Sequence, residues 1–567
     1  MESANIFGNS TKFENSYKMD IEQAHNLNHS NMVKSYLHSH RTMNSFPFGQ
    51  KFQNGKQILV EPFNTTLILK NIDEITIILT KFNNFFFNVN KTEIDKMRNN
   101  LFEYLKQIRK ELSKENISVV DARSIFNGKI NNFIELLLKD TYDPYIQLES
   151  LWIINNLMFL IAKYNNCIFF DVKNISNSLI QYLINIYKNQ KNEGVKYTLV
   201  DKIFRIFGNL IHIDNNIIEL LIKNQIIPFV INSLNSPVSS FRTTCLWLIN
   251  KIILILKKLD AIDYIKIFIE KNAISNYKFI LSRIDNLRSF EEIGELFWLF
   301  NELVKYNSSF LIPIFFIDNT NINNNTNIIN INYNYNLDCY PIKTFEFVLN
   351  NCLTSKMFQT SFRLISNLLI VCLNDLKNEN LVSKFTEILF SKENILGFIK
   401  DILNSPKNKY DISLVKDILL LIFNLVCISQ IKSSALFKNG IVNLINNIDY
   451  QNDNEIMKLL FFTYYRILRS NSFIFEPNDE KVIKTCLVLM ERFKDDSSIL
   501  IIFIDIIFLY LKASHTKIAD EIENELRILC DLDDNISVPI EKLQLLAFKL
   551  TNFVKIHSPL SRFMREQ

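Results

Sequence analysis

Residues 128–157 read GKINNFIELLLKDTYDPYIQLESLWIINNL, and two patterns in this stretch decide the fold. The first opens on a small residue, Gly128, and then sets Ile130, Phe133 and Ile134 at the i, i+3, i+4 spacing of one helix face. The second is a longer apolar stretch that closes on Ile154–x–Asn156. Neither half alternates apolar and polar residues as a half-buried strand does.

Both patterns return along the chain. The opening recurs as Gln225-Ile-Ile-Pro-Phe-Val-Ile and as Gly440-Ile-Val-Asn-Leu-Ile. The [Leu/Ile/Phe]–x–Asn centre recurs with its asparagine at Asn209, Asn250, Asn301, Asn367 and Asn424, at spacings of 53, 41, 51, 66 and 57 residues counted from Asn156. The shortest spacing lies at the ~40–47-residue period of armadillo and HEAT repeats. A unit of this kind cannot close its own core, so neighbouring units stack and bury a continuous one. The expectation is therefore an all-α chain, a right-handed superhelical solenoid of armadillo repeats over residues 66–560, behind a polar, disordered tail over residues 1–65. Leu101, Tyr104, Leu105, Ile108 and Leu112 give a further helix face near its start. One insert, DNTNINNNTNIININYNYN at 318–336, interrupts the periodicity and reads as a surface loop.

Composition agrees. The 567 residues include only 9 Gly and 11 Pro, too few turn formers for a fold of many tight hairpins. Helices joined by short Asn- and Asp-based connections fit better. Net charge is +4 with no block of like charges, so no nucleic-acid partner is expected. The eight cysteines form no CxxC pair, and most sit in apolar helical stretches, which reads as buried free thiols. The amino terminus shows no basic region followed by an apolar core. The apolar windows Ile499–Leu511 and Ile418–Ile428 are shorter than the ~20 residues of a spanning helix, and Asp505 and Asn424 interrupt them. No membrane insertion is expected.

Chemistry has little to stand on. Phosphate-loop, dinucleotide, zinc-protease and nucleophile-elbow motifs do not occur. His25 and His29 share i, i+4 spacing but have no carboxylate or cysteine framework beside them, and His212, His515 and His557 are scattered. The acidic pairs Glu291-Glu292, Asp495-Asp496 and Asp533-Asp534 are expected at helix ends or on solvated faces. The expectation is a protein that binds rather than catalyses, with no cofactor and no metal.

The run Gln147-Leu-Glu149-Ser150-Leu-Trp152, followed by Asn156, resembles importin-α, the adaptor that carries proteins with nuclear localisation signals. That family has Q-x-E-x-x-W-x-x-x-N on one helix. Upstream, YLKQIRKELSKE (residues 104–115) and then Gly128 fit its first repeat. Downstream, Ile206-Phe-Gly208-Asn209-Leu fits its W-A-L-G-N-I helix, and residues 225–250 fit the repeat after that. The resemblance spans roughly residues 70–555 and is most specific at 128–157.

What it implies is a groove that takes an extended Lys/Arg-rich peptide. Tryptophan rings would hold the cationic stems, and asparagines one turn on would bind the peptide backbone. The implied cargo-peptide residues are Glu149, Ser150, Trp152, Asn156, Asn209 and Asn250, with Asn367 and Asn424 as a second, smaller clamp. The implied partners are cargo proteins with basic localisation signals and importin-β, in cytoplasm and nucleus. An alternative is an armadillo-repeat interaction scaffold that has lost basic-peptide recognition.

The chain departs from the family at several positions. Arg205, Leu246, Phe297, Arg363 and Leu420 stand where later tryptophans belong, and the two arginines would repel a basic peptide. Trp247 and Trp298 precede their asparagines by three residues rather than four. That offset turns a side chain by about 100°, toward the groove edge or into the core. Residues 1–60 carry only scattered Lys12, Lys18, Lys34, Arg41, Lys51 and Lys56 in place of the family's basic importin-β-binding helix.

Overall fold

The computed structural model describes residues 63–84, 91–114, 117–126, 129–138, 144–164, 171–283, 290–315, 355–374, 412–428 and 453–469, with isolated positions at 397–403 and 502–506. Every regular element among them is helical. The chain divides into two compact units, Met1–Leu303 and Val304–Gln567.

The first unit runs α1 (Thr65–Asn84), α2 (Lys91–Leu112), α3 (Val119–Ile125), α4 (Ile130–Leu137), α5 (Pro144–Tyr164), α6 (Val172–Asn189) and α7 (Glu193–Ile213). It continues with α8 (Ile217–Lys223), α9 (Ile226–Ser233), α10 (Ser239–Lys258), a 3₁₀ segment (Ile262–Ile269), α11 (Lys271–Leu281) and α12 (Phe290–Leu303). The cadence short–short–long appears as α3-α4-α5 and α8-α9-α10, and again as the 3₁₀ segment, α11 and α12, with α6-α7 as a two-helix version. This is an armadillo-type repeat array.

Asn, Asp and Ser make the turns in place of Gly and Pro. Ser118 caps α3 in a reciprocal box: its hydroxyl accepts from the Asp121 amide at 3.1 Å and its own amide donates to the Asp121 carboxylate at 3.2 Å. Asp171 and Asn192 cap α6 and α7 by accepting from the amides of Asn174 and Val195. Asp260 ends α10 in the left-handed region at φ 55°, while the Ala261 amide reaches back to the Leu256 carbonyl at 2.9 Å. Gln225 does the same between α8 and α9 at φ 56°. That conformation suits glycine; Gly128 and Gly440, which open the other two copies of the pattern, lie outside the described residues.

Packing follows two rows. The long helices α2, α5, α7, α10 and α12 each lie on the next, and α4, α6, α8–α9 and α11 form a second row beside them. Side chains tie each helix to its counterpart one repeat away. Asn174 donates to Glu135 at 2.6 Å across 39 residues, and Asn272 to Asn232 at 2.8 Å across 40. These separations closely match the 41-residue spacing of Asn209 and Asn250, the shortest of the asparagine intervals. Phe204 packs on Phe229 of the second row (5.8 Å, edge-on) and on Phe241 of the next long helix (5.7 Å, stacked), and Phe133, Phe207, Tyr182 and Tyr277 are fully buried. Each such side chain contributes about 1.5–3 kcal/mol.

The second unit contains α13 (Leu311–Phe315), α14 (Ser355–Asn374), α15 (Ile412–Ile428) and α16 (Asn454–Arg469), with α14, α15 and α16 packed in succession. Arg363 and Asp417, both buried, pair at 2.8 Å between α14 and α15. Lys416 reaches Glu455 at 2.5 Å across 39 residues, so this unit keeps the same register.

Some expectations need correction or fall elsewhere. Glu291 and Glu292 do sit at a helix end, in the first turn of α12, but Glu292 is not solvated: it is 1% exposed, clasped by Arg242 (2.5 and 2.9 Å) and by the Ser239 hydroxyl (2.6 Å). Its partner Glu291 is exposed. α10 is long and apolar enough to cross a membrane by length and composition, yet it packs between α7 and α12 with most of its residues buried. Cys245 is a buried free thiol, its proton affinity raised by burial and then by Asp201. Of the tail expected over 1–65, residues 1–62 lie outside the described residues, while Thr65 already opens α1; the insert at 318–336 and most other cysteines also lie outside them.

Candidate functional site

The long helices of the first unit leave one stripe open. On α5 it runs through Leu148, Trp152, Asn155 and Phe159, all half-buried among fully buried neighbours. On α7 it passes Asp201, Lys202 and Arg205, and on α10 Thr243 and Trp247. The spacing of three and four residues makes each a single helix face. Because the three helices are successive neighbours, the stripes form one surface.

Trp152 lies at its centre, but its ring is covered. The Lys202 ammonium, from the next long helix, stands 3.9 Å from the indole centroid, inside the range of a cation–π contact. Lys202 also lies 3.4 Å from Asp201. Burial lowers its proton affinity; Asp201 opposes that shift and Arg205 adds to it. Asp201 is the hub of the cluster. Arg205 Nε donates to it at 3.0 Å and the Thr244 hydroxyl at 2.5 Å, while Arg205 Nη2 donates to Thr244 at 2.9 Å. Burial pushes the Asp201 carboxyl up, but Arg205, Lys202 and the Thr244 hydroxyl outweigh it and hold it below the ordinary value.

Glu149 reaches this surface already paired, its carboxylate accepting from Arg109 Nε of α2 at 2.5 Å. Ser150 does not reach it: at 1% exposure its hydroxyl is buried in the core without a hydrogen-bond partner. The recurring asparagines turn sideways. Asn156 donates to the Ser113 hydroxyl beyond α2 at 3.3 Å, and Asn209 donates to Asn155 of α5 at 3.2 Å. Asn250 donates to the carbonyl and carboxylate of Glu295 on α12, at 3.0 and 2.7 Å. In the second unit Asn424 donates to Ser366 of α14, and Asn367 is half-buried on that helix. The first unit thus gathers Trp152, Asn156, Asn209 and Glu149 around α5 and α7, and the asparagines join adjacent helices across single repeats.

The later tryptophan positions resolve differently from their alignment. Leu246 and Phe297 are fully buried core residues, whereas Trp247 is half-buried on the open stripe. Trp247 lies flat on α7: a Cβ at Gly208 would come within 2.2 Å of its ring. Lys251, one turn on, stands 5.6 Å from its centroid. Trp298 is 5% exposed and fills the core. Arg363 is buried against Asp417 and Arg205 is bound to Asp201, so neither stands as an open charge against a peptide. Sequence reasoning missed Lys202 and Asp201. An Asp-Lys pair in a helix carries no motif, and only the stacking of α7 on α5 brings it to Trp152.

Among the described residues no group of three His, Cys, Asp or Glu is placed to hold a metal. No protein-family model matches the sequence, and no curated protein matches it. Among solved structures, a crystal structure of an engineered protein from the Northeast Structural Genomics Consortium is 12% identical, covers 86% of this chain and 99% of its own, and superposes with a TM-score of 0.53. At that identity the likeness concerns fold alone. A designed armadillo repeat protein is also 12% identical, over 51% of this chain and 99% of its own, at a TM-score of 0.33, and the fold assignment does not draw on it.

Proposed function

We propose that the chain is an armadillo-type interaction scaffold, whose open stripe on α5, α7 and α10 binds an extended segment of another protein rich in carboxylates. The supporting observation is the charge of that surface. Lys202 and Arg205 together stand against the single carboxylate of Asp201 on α7, and Glu149 is matched by Arg109. The carboxylates a basic peptide would need are engaged within the chain, and a covering lysine meets it at the central tryptophan. Like charges brought together at such a surface cost several kcal/mol. Nothing in this reading calls for a catalytic step.

A second reading keeps the importin-α-like adaptor, shuttling cargo with Lys/Arg-rich signals between cytoplasm and nucleus with importin-β as partner. It is favoured by one observation: Trp152 accepts an ammonium over its ring at 3.9 Å. The two readings separate in a titration of the full chain with fluorescein-labelled Glu/Asp-rich and Lys/Arg-rich peptides, followed by anisotropy. The scaffold reading expects the acidic peptide to bind, more weakly as salt rises, and the basic one not to. The reverse order of affinities would replace it with the adaptor.

A further inference from the structure

We infer that Gly294 leaves a notch in the open face on α12, and that the notch seats one large apolar side chain, of leucine or phenylalanine size, from the carboxylate-rich segment. The acidic run of that segment then lies over α7 and its apolar anchor over α12.

The open stripe does not stop at α10. Glu149, Lys202, Thr243 and Gly294 each stand seven residues before a repeat asparagine, at Asn156, Asn209, Asn250 and Asn301. Seven residues is close to two helical turns, so the four share one register on α5, α7, α10 and α12, and all four are half-buried. Gly294 lies within a helix, where glycine is less stable than alanine. No neighbouring atom requires it. A Cβ at Gly294 would meet nothing within 4 Å, whereas one at Gly208 would strike Trp247 at 2.2 Å. Gly208 makes room for a ring of this chain; Gly294 keeps open a space that the chain leaves empty.

The surroundings are fixed, and their chemistry selects the occupant. Before Gly294, the Glu292 carboxylate is clasped by Arg242 and Ser239 of α10; after it, the Glu295 carbonyl accepts from Asn250 at 3.0 Å. The same contacts bracket Thr243 and Trp247 on α10. The Thr243 hydroxyl is engaged by its own helix, donating to the Ser239 carbonyl at 3.0 Å, and Trp247 is half-buried on the stripe. At this register the cation is Lys202 on α7, and α10 and α12 carry Thr243 and Gly294 instead. Glu291, exposed one turn before Gly294, would repel a carboxylate. An apolar side chain meets no such penalty, and a site with its walls already held costs little ordering on binding. Two steps between packed helices, from α7 to α12, span about 16–20 Å. An extended chain covers that in roughly five or six residues.

The inference rests on the open stripe binding a carboxylate-rich segment, as proposed above, and its test separates the two. The full chain, Gly294→Ala and Gly294→Leu are titrated by anisotropy with fluorescein-labelled peptides. One peptide has a Glu/Asp run flanked on each side by Phe at the fifth and sixth positions beyond it; its control has Ser at those positions. The same Phe and Ser pair built on a Lys/Arg run is titrated in parallel, with melting curves for each variant. The expected result is at least tenfold tighter binding of the acidic Phe peptide than of its Ser control by the parent, falling below threefold in Gly294→Leu. Gly294→Ala adds only a methyl group; it serves if the leucine variant does not fold, and should lower the ratio at least threefold. A parent that does not distinguish Phe from Ser overturns the inference, as does a preference that survives in a folded Gly294→Leu. If the acidic peptides bind without preference, the scaffold reading stands and the notch falls. If the preference appears on the basic pair alone and is lost in Gly294→Leu, the notch stands as an apolar seat and the carboxylate-rich reading falls. Binding of none of the four peptides overturns both.

Discussion

Replacing Gly208 with alanine probes how α7 and α10 are held together. The new methyl group would sit 2.2 Å from Trp247 Cζ3 and 2.3 Å from Cη2, well inside the 3.0 Å that real Cβ contacts respect. To reach ordinary contact the indole must move by about 1 Å or more, or the helices must part. Overpacking of this kind costs typically ~1–3 kcal/mol. Alanine in a helix interior returns ~1 kcal/mol relative to glycine, so the net effect runs from near zero to a loss of about 2 kcal/mol. In a Trp247→Leu background the ring is gone and only the propensity term remains. There Gly208→Ala should stabilise by about 1 kcal/mol. The effect therefore depends on the partner, a coupling that a double-mutant cycle measures directly. Guanidinium unfolding of the four proteins, followed by circular dichroism, supplies the numbers. A Gly208→Ala variant more stable than the parent, with no dependence on Trp247, would refute the packing described for this pair.

Other consequences are as specific. Arg242→Met leaves Glu292 buried without its cation and should cost ~3–5 kcal/mol in thermal or chemical unfolding, while Arg242→Met/Glu292→Met should recover most of the loss. Asn156→Ala removes one neutral tie to Ser113 and should cost ~1 kcal/mol, whereas Asn250→Ala removes a donor to the buried Glu295 carboxylate and should cost ~1.5–3 kcal/mol in the same measurement. Because the Asp201 pKa is held below 3.8, its stabilising contribution is fully present above that pH and is lost as pH falls through its folded value. The stability gap between the parent and Asp201→Asn should accordingly shrink below pH 3.8, read from melting temperatures across an acid series.

The period of the fold was legible because one residue type marks it. Asn156, Asn209 and Asn250 recur since each is a donor aimed at a neighbouring long helix, and a buried amide without a partner is costly. Gln225 gave no such signal: it adopts a left-handed backbone at φ 56°, a conformation that favours glycine. The pairing of surfaces was not legible. Trp247 and Leu246 are adjacent and both apolar, and only the stacking of α7 on α10, opened by Gly208, shows which one faces out. Arg242 and Glu292 look like ordinary surface charges until their helices meet, 50 residues apart in sequence. The lysine over Trp152 lies in the next repeat, and no local pattern points across that distance.

The central claim is that partners engage the open stripe of α5, α7 and α10. Hydrogen–deuterium exchange of the full chain, with and without saturating Glu/Asp-rich peptide, tests it most directly. The account predicts added protection in α5, α7 and α10, with α4, α6, α8 and α11 unchanged. Protection confined to that second row, or none anywhere at saturation, would contradict it.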